Sequence, residues 1–543
     1  MLLERIEIAG FRGIKRLSIS FDQLTALIGE NTWGKSSLLD TLSVALPPDG
    51  VPYQFEMADF HVDHSISHPQ TQDLQIVLAL VANDTREMQS RRYRKIRPIW
   101  VTDSEDVHRI YYRISASREQ YDIETHYDFL DRDGNPLALH HTEKIAQELM
   151  SLHPVIRLKD SRRFERTGDS NGSFNERIEK RINNTCRRLM AIPGHVNKGE
   201  MRSSLKSMGM LVEHYFSFKS NNRMVHNQPR DGIFYARKSD SISISDYVEQ
   251  SNNKQTRLLL LGLLNAYLQA KGPNRLRKGA RPILIIEDPE GRLHPTQLAR
   301  AWGLLQLLPM QKILTTNSGD LLAQLPIHCI RRLVRQSDKT ICTSLVTQGL
   351  SRDELRRVGF HLRFHRSGAL FARCWLLVEG ETEVWLFNEL ANQCGYNLAA
   401  EGVQIIEFAQ SGLKSLLKVA KAFGIDWHVV TDGDPAGKKY AATVRARLGH
   451  DQERHRLTEL PDKDIEHYLY HNGFEPFFRD MVKIPLDHPI PAKKVVNRVL
   501  KKYAKPDLAL AIVSHCEEKG LECIPLLLRW TLKRVVTMAN GNT

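Results

Sequence analysis

The segment Gly29-Glu30-Asn31-Thr32-Trp33-Gly34-Lys35-Ser36 limits the fold more than any other stretch of the chain. Two glycines enclose four residues and are followed at once by lysine and serine. An apolar run from Leu24 to Ile28 leads in as a strand, and the spacing of Leu38, Leu39, Leu42, Ala45 and Leu46 predicts an amphipathic helix leading out. A glycine-bearing turn in that setting points successive backbone N–H groups inward, at the positive end of the helix dipole. Such a loop cradles phosphate oxygens, Lys35 reaching the β- and γ-phosphates and the Ser36 hydroxyl ligating Mg²⁺. Gly29, Asn31, Gly34, Lys35, Ser36 and Ser37 are the expected contacts to ATP.

At 543 residues the chain exceeds one compact core, and two to four domains are expected. Lysine and arginine outnumber aspartate and glutamate, 76 against 63, for a net charge of +13. That excess suits a polyanionic partner and equally a solvated surface. The cysteines at 186, 329, 342, 374, 394, 516 and 523 are scattered and form no C-x-x-C pair, which excludes a zinc module of that type and suits a reducing cytoplasm. Met1-Leu2-Leu3-Glu4-Arg5 lacks a signal-peptide layout, and the most apolar run, Leu258 to Leu268, is too short to span a bilayer. The expectation is a soluble cytoplasmic protein with no membrane partner.

Alternating patterns predict strands over 3–8, 17–21, 24–28, 74–81, 109–115 and 121–130, the last ending at the hairpin signal Asp133-Gly134. From about 143 to 250 the pattern becomes helical and arginine-rich. Strand–helix alternation resumes over 281–347, and a new α/β unit begins at Cys374-Trp375-Leu376-Leu377-Val378. The expected organisation is an α/β ATPase domain over 1–350 with a helical insertion at about 145–250. A basic connector, 351–373, leads to a second α/β domain with a helical C-terminal part, 374–543.

The first site is completed downstream. Pro282 to Ile286 is an apolar strand ending in Glu287-Asp288-Pro289-Glu290, and buried parallel strands deliver catalytic carboxylates at such ends. Glu287 would hold Mg²⁺ through water, and Asp288 would polarise the attacking water. A further strand, Lys312 to Thr316, ends in Asn317-Ser318, where Asn317 donates a hydrogen bond but carries no proton. Ser251-Asn252-Asn253-Lys254-Gln255-Thr256-Arg257 resembles the signature loop of ATP-binding-cassette and SMC-like ATPases, with asparagines for both glycines. The resemblance implies that Ser251 contacts the γ-phosphate of another protomer, and therefore at least a homodimer. Asp288 is one methylene shorter than the family's glutamate and Asn317 replaces its histidine, so slow turnover is expected, with ATP as a conformational switch.

The second site is acidic. Val378-Glu379-Gly380-Glu381-Thr382-Glu383 ends one strand and opens a helix, and Trp427 to Thr431 is a strand running into Asp432-Gly433-Asp434, with Pro435 suited to a first helical turn and Asp434 near its N-cap. Alternation along a strand would put Asp432 and Asp434 on one face, with Glu379 converging from its neighbour. Clustered acids repel one another unless a cation neutralises them. Oxygen ligands favour Mg²⁺ or Mn²⁺, and two ions about 4 Å apart can drive phosphodiester hydrolysis. Glu466 heads a later helix and would join the second ion. Lys505, or Lys501 or Lys502 in its place, would stabilise charge on the scissile phosphate.

A strand ending in Glu-Gly followed by one ending in Asp-x-Asp resembles a Toprim domain. An SMC-like ATPase joined to a Toprim unit resembles the OLD (overcoming lysogenization defect) family of ATP-dependent nucleases, through Phe11-Arg12-Gly13, Gly29–Ser36, Ile286–Pro295, Glu379–Glu383, Asp432–Asp434 and Asp464–Glu466. The resemblance implies metal-dependent cleavage of DNA, dimerisation through the insertion and, in several branches, defence against phage. Carried over by residue, Glu379, Glu383, Asp432, Asp434 and Glu466 would hold metals, and Lys505 would be the late catalytic lysine. A regulatory companion protein or nucleic acid is compatible with this reading. Competing readings are a DNA-binding ATPase clamp with a structural Toprim unit, and a topoisomerase or primase, for which the chain has neither a DNA-gate region nor a cysteine cluster.

Overall fold

The computed structural model describes residues 1–63, 71–103, 106–119, 122–158, 281–292, 295–306, 308, 310–336, 338–345 and 350–541, with isolated positions between 180 and 280. Ser251 to Arg257, the apolar run at 258–268 apart from Tyr267, and most of the expected insertion lie outside the described residues. The chain divides into two compact units, Met1–Thr343 and Ser344–Thr543.

The first unit contains, in order, β1 (Leu2–Phe11), β2 (Ile14–Ser20), β3 (Leu24–Ile28), α1 (Lys35–Ala45), β4 (Asp73–Val81), β5 (Val101–Thr102), β6 (His108–Glu119), β7 (Asp122–Leu130), α2 (Thr142–Leu152) and β8 (Val155–Leu158). Beyond residue 280 come β9 (Ile283–Glu287), α3 (Pro295–Gln306), β10 (Lys312–Thr315), α4 (Gly319–Ala323), β11 (Ile330–Arg335) and β12 (Thr340–Ser344). One sheet runs β2-β1-β4-β6-β5 with β7 on β6, and its strands pair antiparallel throughout. β6 shows the one-sided alternation such a sheet needs, burying Ile110, Tyr112, Ile114 and Ala116 while their neighbours stay half-buried. The other sheet runs β12-β11-β3-β10-β9-β8, with parallel pairing from β11 through β8. Its strands sit between layers, so Ile283 to Ile286 are buried without alternation. Leu38, Leu39 and Leu42 of α1 join Ile285, Ile313 and the inward face of the antiparallel sheet in one core. Each such leucine contributes about 2 kcal/mol by burial.

Two local features differ from the sequence pattern. The turn at Asp133-Gly134 forms, with Gly134 at φ 86° and Asp131 N–H bonded to Asn135 O at 2.9 Å. The returning strand, however, is a single bridge between Leu130 and Pro136, because proline has no N–H to extend the ladder. β8 lies within the range expected of the insertion, yet it pairs with β9 and is the outer strand of the parallel sheet.

The second unit begins with α5 (Arg352–Phe360), whose N-terminus is closed by reciprocal bonds between Ser351 and Glu354. Residues 351–373 are largely helical and are tied into this unit, Glu354 accepting from Ser415 Oγ at 3.2 Å and Arg366 gripping Glu407 at 2.8 Å. There follow β13 (Cys374–Val378), α6 (Glu381–Gln393), β14 (Val403–Glu407), α7 (Leu413–Phe423), β15 (Asp426–Thr431), α8 (Pro435–Arg445), α9 (Glu453–Arg456) and β16 (Leu457–Glu459). The helical remainder is α10 (Ile465–Leu469), α11 (Glu475–Met481), α12 (Ala492–Lys502), α13 (Lys505–Lys519) and α14 (Leu526–Ala539). The sheet order is β14-β13-β15-β16, every pairing parallel. The chain steps outward from β13 to β14 and then returns to the other side of β13 for β15. That reversal opens a crevice at the carboxyl ends of β13 and β15, where parallel α/β sheets place their ligands.

Candidate functional site

In the first unit the carboxyl ends of three neighbouring strands line up, Leu27 of β3 and Glu287 of β9 both standing opposite Thr315 of β10. The loop after β3 carries Gly29 at φ 146° and Gly34 at φ 93°, the latter left-handed at the N-cap of α1. A Cβ at Gly29 would fall 2.8 Å from the Leu333 carbonyl oxygen, so only glycine fits there. Asn31 and Ser36 are exposed at the loop, Ser37 is half-buried, and Lys35 is buried. Lys35 Nζ donates to Gly29 O at 2.6 Å and to Asn317 Oδ1 at 2.8 Å, which brings two expected nucleotide contacts together. Burial lowers the Lys35 pKa, while Asp288 and Glu290 nearby oppose that shift.

The expected Mg²⁺ and hydrolysis carboxylates are both engaged. Glu287 is held by the Arg157 guanidinium through two 2.8 Å bonds. Asp288 turns out of the strand at φ 39°, its N–H meeting Thr315 O at 3.2 Å and its Oδ1 accepting from Thr315 Oγ1 at 3.0 Å. Glu290, to which the sequence pattern gave no role, accepts from Asn317 N–H at 2.6 Å and leaves Oε2 buried without a partner. The signal for it was present in the acidic turn after β9. Nothing local marked Arg157 or its second partner Asp40, which only the folded sheet brings near Glu287. Ser251 lies outside the described residues.

In the second unit the acids collect at the crevice. Glu379 follows β13 directly, and Glu383, in the first turn of α6, folds back to accept from Gly380 N–H at 3.1 Å. β15 ends at Thr431, so Asp432 and Asp434 lie beyond the strand, and strand alternation is not what sets their directions. Asp434 caps α8, its Oδ1 accepting from Gly437 N–H at 2.6 Å. Asp464 caps α10 in the same way and also meets His467 Nδ1 at 2.5 Å. Glu466, in the first turn of α10, is buried, with Lys505 Nζ 3.4 Å from its Oε1. Lys505 occupies the first turn of α13, where a cation runs against the helix dipole. Lys502 is turned instead to Met481 O at 2.8 Å.

These groups act on one another. Burial, then Glu383, Glu379, Asp464 and Glu466, push Asp432 up to about 8. Burial, Asp434 and Glu383 raise Glu379, whose Oε2 is buried with no hydrogen-bond partner. Burial also raises Glu466, with Asp464 and Glu383 adding and Lys505 opposing. Such crowding is relieved by a proton or by a cation, and an all-oxygen donor set fits Mg²⁺ or Mn²⁺. Among the described residues no three His, Cys, Asp or Glu side chains close into a ready-made metal cage. Asp434, Asp464 and Glu383 each direct one oxygen to a backbone N–H. Gly433 and Gly437 let the backbone close at this point: a Cβ would meet Asp462 O at 2.4 Å in the first case and Asp432 O at 1.9 Å in the second. No helix among the described residues is long and apolar enough to cross a membrane.

Comparison with known proteins matches residues 1–369 to the family described as "Protein of unknown function (DUF2813)". Residues 370–434 match "Overcoming lysogenization defect protein-like, TOPRIM domain". A full-length relative, the uncharacterized protein YbjD of Escherichia coli (strain K12), is 42% identical over 555 residues, covering 100% of each chain. Among solved structures, the C-terminal region of the Burkholderia pseudomallei OLD protein aligns at 17% identity, covering 32% of this chain and 100% of that one, with a TM-score of 0.26. The SMC head domain from Thermotoga maritima aligns at 13% identity, covering 64% of this chain and 100% of that one, with a TM-score of 0.31.

Proposed function

The chain belongs to the DUF2813 family and carries an OLD-like TOPRIM domain after it, and from that premise we propose that it is an ATP-regulated, divalent-metal-dependent DNA endonuclease. The observation that carries this reading is Asp432, held at about 8 by burial and by Glu383, Glu379, Asp464 and Glu466, beside a lysine that faces the same group. That much concentrated negative charge at a strand-order reversal is costly as structure alone and is suited to binding cations.

Glu379, Glu383, Asp432, Asp434 and Glu466 would hold Mg²⁺ or Mn²⁺, which supply an activated water and neutralise the leaving oxygen in phosphodiester hydrolysis. The capping bonds of Asp434 and Asp464 fix the backbone that presents these acids, and Gly433 and Gly437 allow the close approach. Lys505, leaning on Glu466, is placed to meet charge developing on the scissile phosphate. In the first unit Gly29, Asn31, Gly34, Lys35, Ser36 and Ser37 would bind ATP, and Glu287 with Ser36 would hold its Mg²⁺. Asp288 would orient water from its perch on Thr315, and Asn317 would pair with Lys35. Ser251 would complete the site of a second protomer, giving a homodimer. A regulatory companion protein or nucleic acid and a role in phage defence belong to the same proposal.

One observation favours a second reading, a DNA-binding ATPase clamp with a structural Toprim unit: the acids do not stand in a closed metal cage among the described residues. Cleavage of supercoiled, linear and single-stranded DNA, with and without ATP, across Mg²⁺, Mn²⁺ and Ca²⁺, separates the two. Metal-dependent nicking supports the nuclease. Salt-sensitive DNA binding without cleavage under any condition supports the clamp.

A further inference from the structure

Arg157 grips Glu287, the carboxylate read above as a holder of Mg²⁺. It sits near the end of β8, 12% exposed, and its Nε and Nη2 each donate to a different oxygen of Glu287 at 2.8 Å. Its remaining arm, Nη1, donates to Asp40 Oδ1. Asp40 lies one helical turn after Ser36 on α1, so it shares that residue's face. The second oxygen of Asp40 accepts from Arg12 Nη1 at 2.5 Å, and Arg12 Nε donates to Asp59 Oδ1 at 2.8 Å. Asp59 is buried, and Arg12 itself sits at φ 45° in the turn between β1 and β2. The fork on Glu287 is thus the end of an ion-pair chain, Asp59–Arg12–Asp40–Arg157–Glu287, anchored in the antiparallel sheet.

We propose that Arg157 is a resident cation that competes with Mg²⁺ for Glu287, so that the guanidinium must release the carboxylate before Mg²⁺–ATP is held. This rests on the ATP-binding reading above. A bidentate fork occupies both oxygens of Glu287 in the plane of the carboxylate, which leaves a water-mediated metal contact in competition with it. A second cation at the same carboxylate is repelled as well as excluded. The pair therefore sets a threshold: the apparent affinity for Mg²⁺ is reduced by the fraction of molecules in which the fork is closed. Asp40 gives the released guanidinium a place to remain, so opening does not strand a buried charge.

The test uses the full chain and a fluorescent ATP analogue, reading the Mg²⁺ concentration for half-maximal nucleotide retention and, separately, nucleotide affinity in EDTA. Arg157→Ala should lower the Mg²⁺ midpoint by about 3- to 10-fold and leave the EDTA affinity within about 2-fold. Arg157→Lys keeps the charge without the fork and should lie between, which preserves the test if the alanine variant does not fold. An unchanged or raised Mg²⁺ midpoint in a folded variant overturns the proposal, a raised one meaning that Arg157 serves the phosphates instead. Failure of the wild-type chain to bind the analogue under any condition overturns the ATP-binding reading itself, and this inference with it.

Discussion

Lys35 Nζ and Asn317 Oδ1 lie 2.8 Å apart across 282 residues of sequence, so the phosphate loop and the end of β10 form one polar unit. The amide accepts from the ammonium but cannot exchange a proton with a phosphate, as an imidazole can.

Two results follow at that pair. Lys35→Ala should abolish ATP binding, and Asn317→Ala should weaken it several-fold by freeing the ammonium from its preset position. Steady-state hydrolysis by the wild type without nucleic acid should stay below about 10 per second, which is under the ordinary median for enzymes. Turnover of tens per second in a phosphate-release assay would contradict the role of ATP as a switch.

Gly437 faces the Asp432 carbonyl so closely that a Cβ would stand 1.9 Å from it. The obstacle is backbone, which cannot swing aside, so Gly437→Ala should lower stability by about 1–3 kcal/mol and displace Asp432. The expected readout is a reduced Tm together with weakened Mn²⁺ binding. A variant with wild-type melting and metal affinity would show that this contact does not hold the acid in place.

Asp432 carries a pH signature. Its pKa of about 8 stands above the ordinary 3.8, so the folded chain binds this proton more tightly than the unfolded one. The resulting stability is fully present below 3.8 and is lost as pH rises through about 8. Divalent cations bind the deprotonated cluster, so Mn²⁺ should raise the Tm more at about pH 9 than at about pH 6. Equal gains at both values in differential scanning calorimetry would remove Asp432 from the metal site.

Lys505, 57% exposed and 3.4 Å from buried Glu466, is the cation closest to the acids in the described geometry. Its loss should lower DNA nicking by about 10²- to 10³-fold, as for other groups that stabilise charge in the transition state, with ATP binding unchanged. A Lys505→Ala variant that nicks at the wild-type rate would shift the role to another group.

The strands that end in candidate site residues were legible because each combines an apolar run with an abrupt polar end. β3, β9, β10, β13 and β15 fall where those runs lie, since a buried parallel strand needs no alternation to be recognised. β8 was hidden inside an arginine-rich stretch, because four residues are too few to establish a period. Proximity in sequence singled out Glu287 and Asp288 as candidates. It gave no sign of Arg157, which reaches Glu287 from a paired strand, or of Asp40, which holds the other arm of Arg157 from a helix more than a hundred residues away. Pro435 marked Asp434 as the N-cap of the following helix, and the structure has it capping α8; the face shared with Asp432 that strand alternation suggested does not apply, because β15 ends at Thr431.

The most direct measurement is nicking of supercoiled plasmid in Mn²⁺ by the wild type and by Asp432→Ala, with ATP binding recorded on the same preparations. The expected result is cleavage by the wild type, none by the variant, and equal nucleotide affinity in both. Cleavage that survives the loss of Asp432 would contradict the assignment of these acids as the nuclease centre.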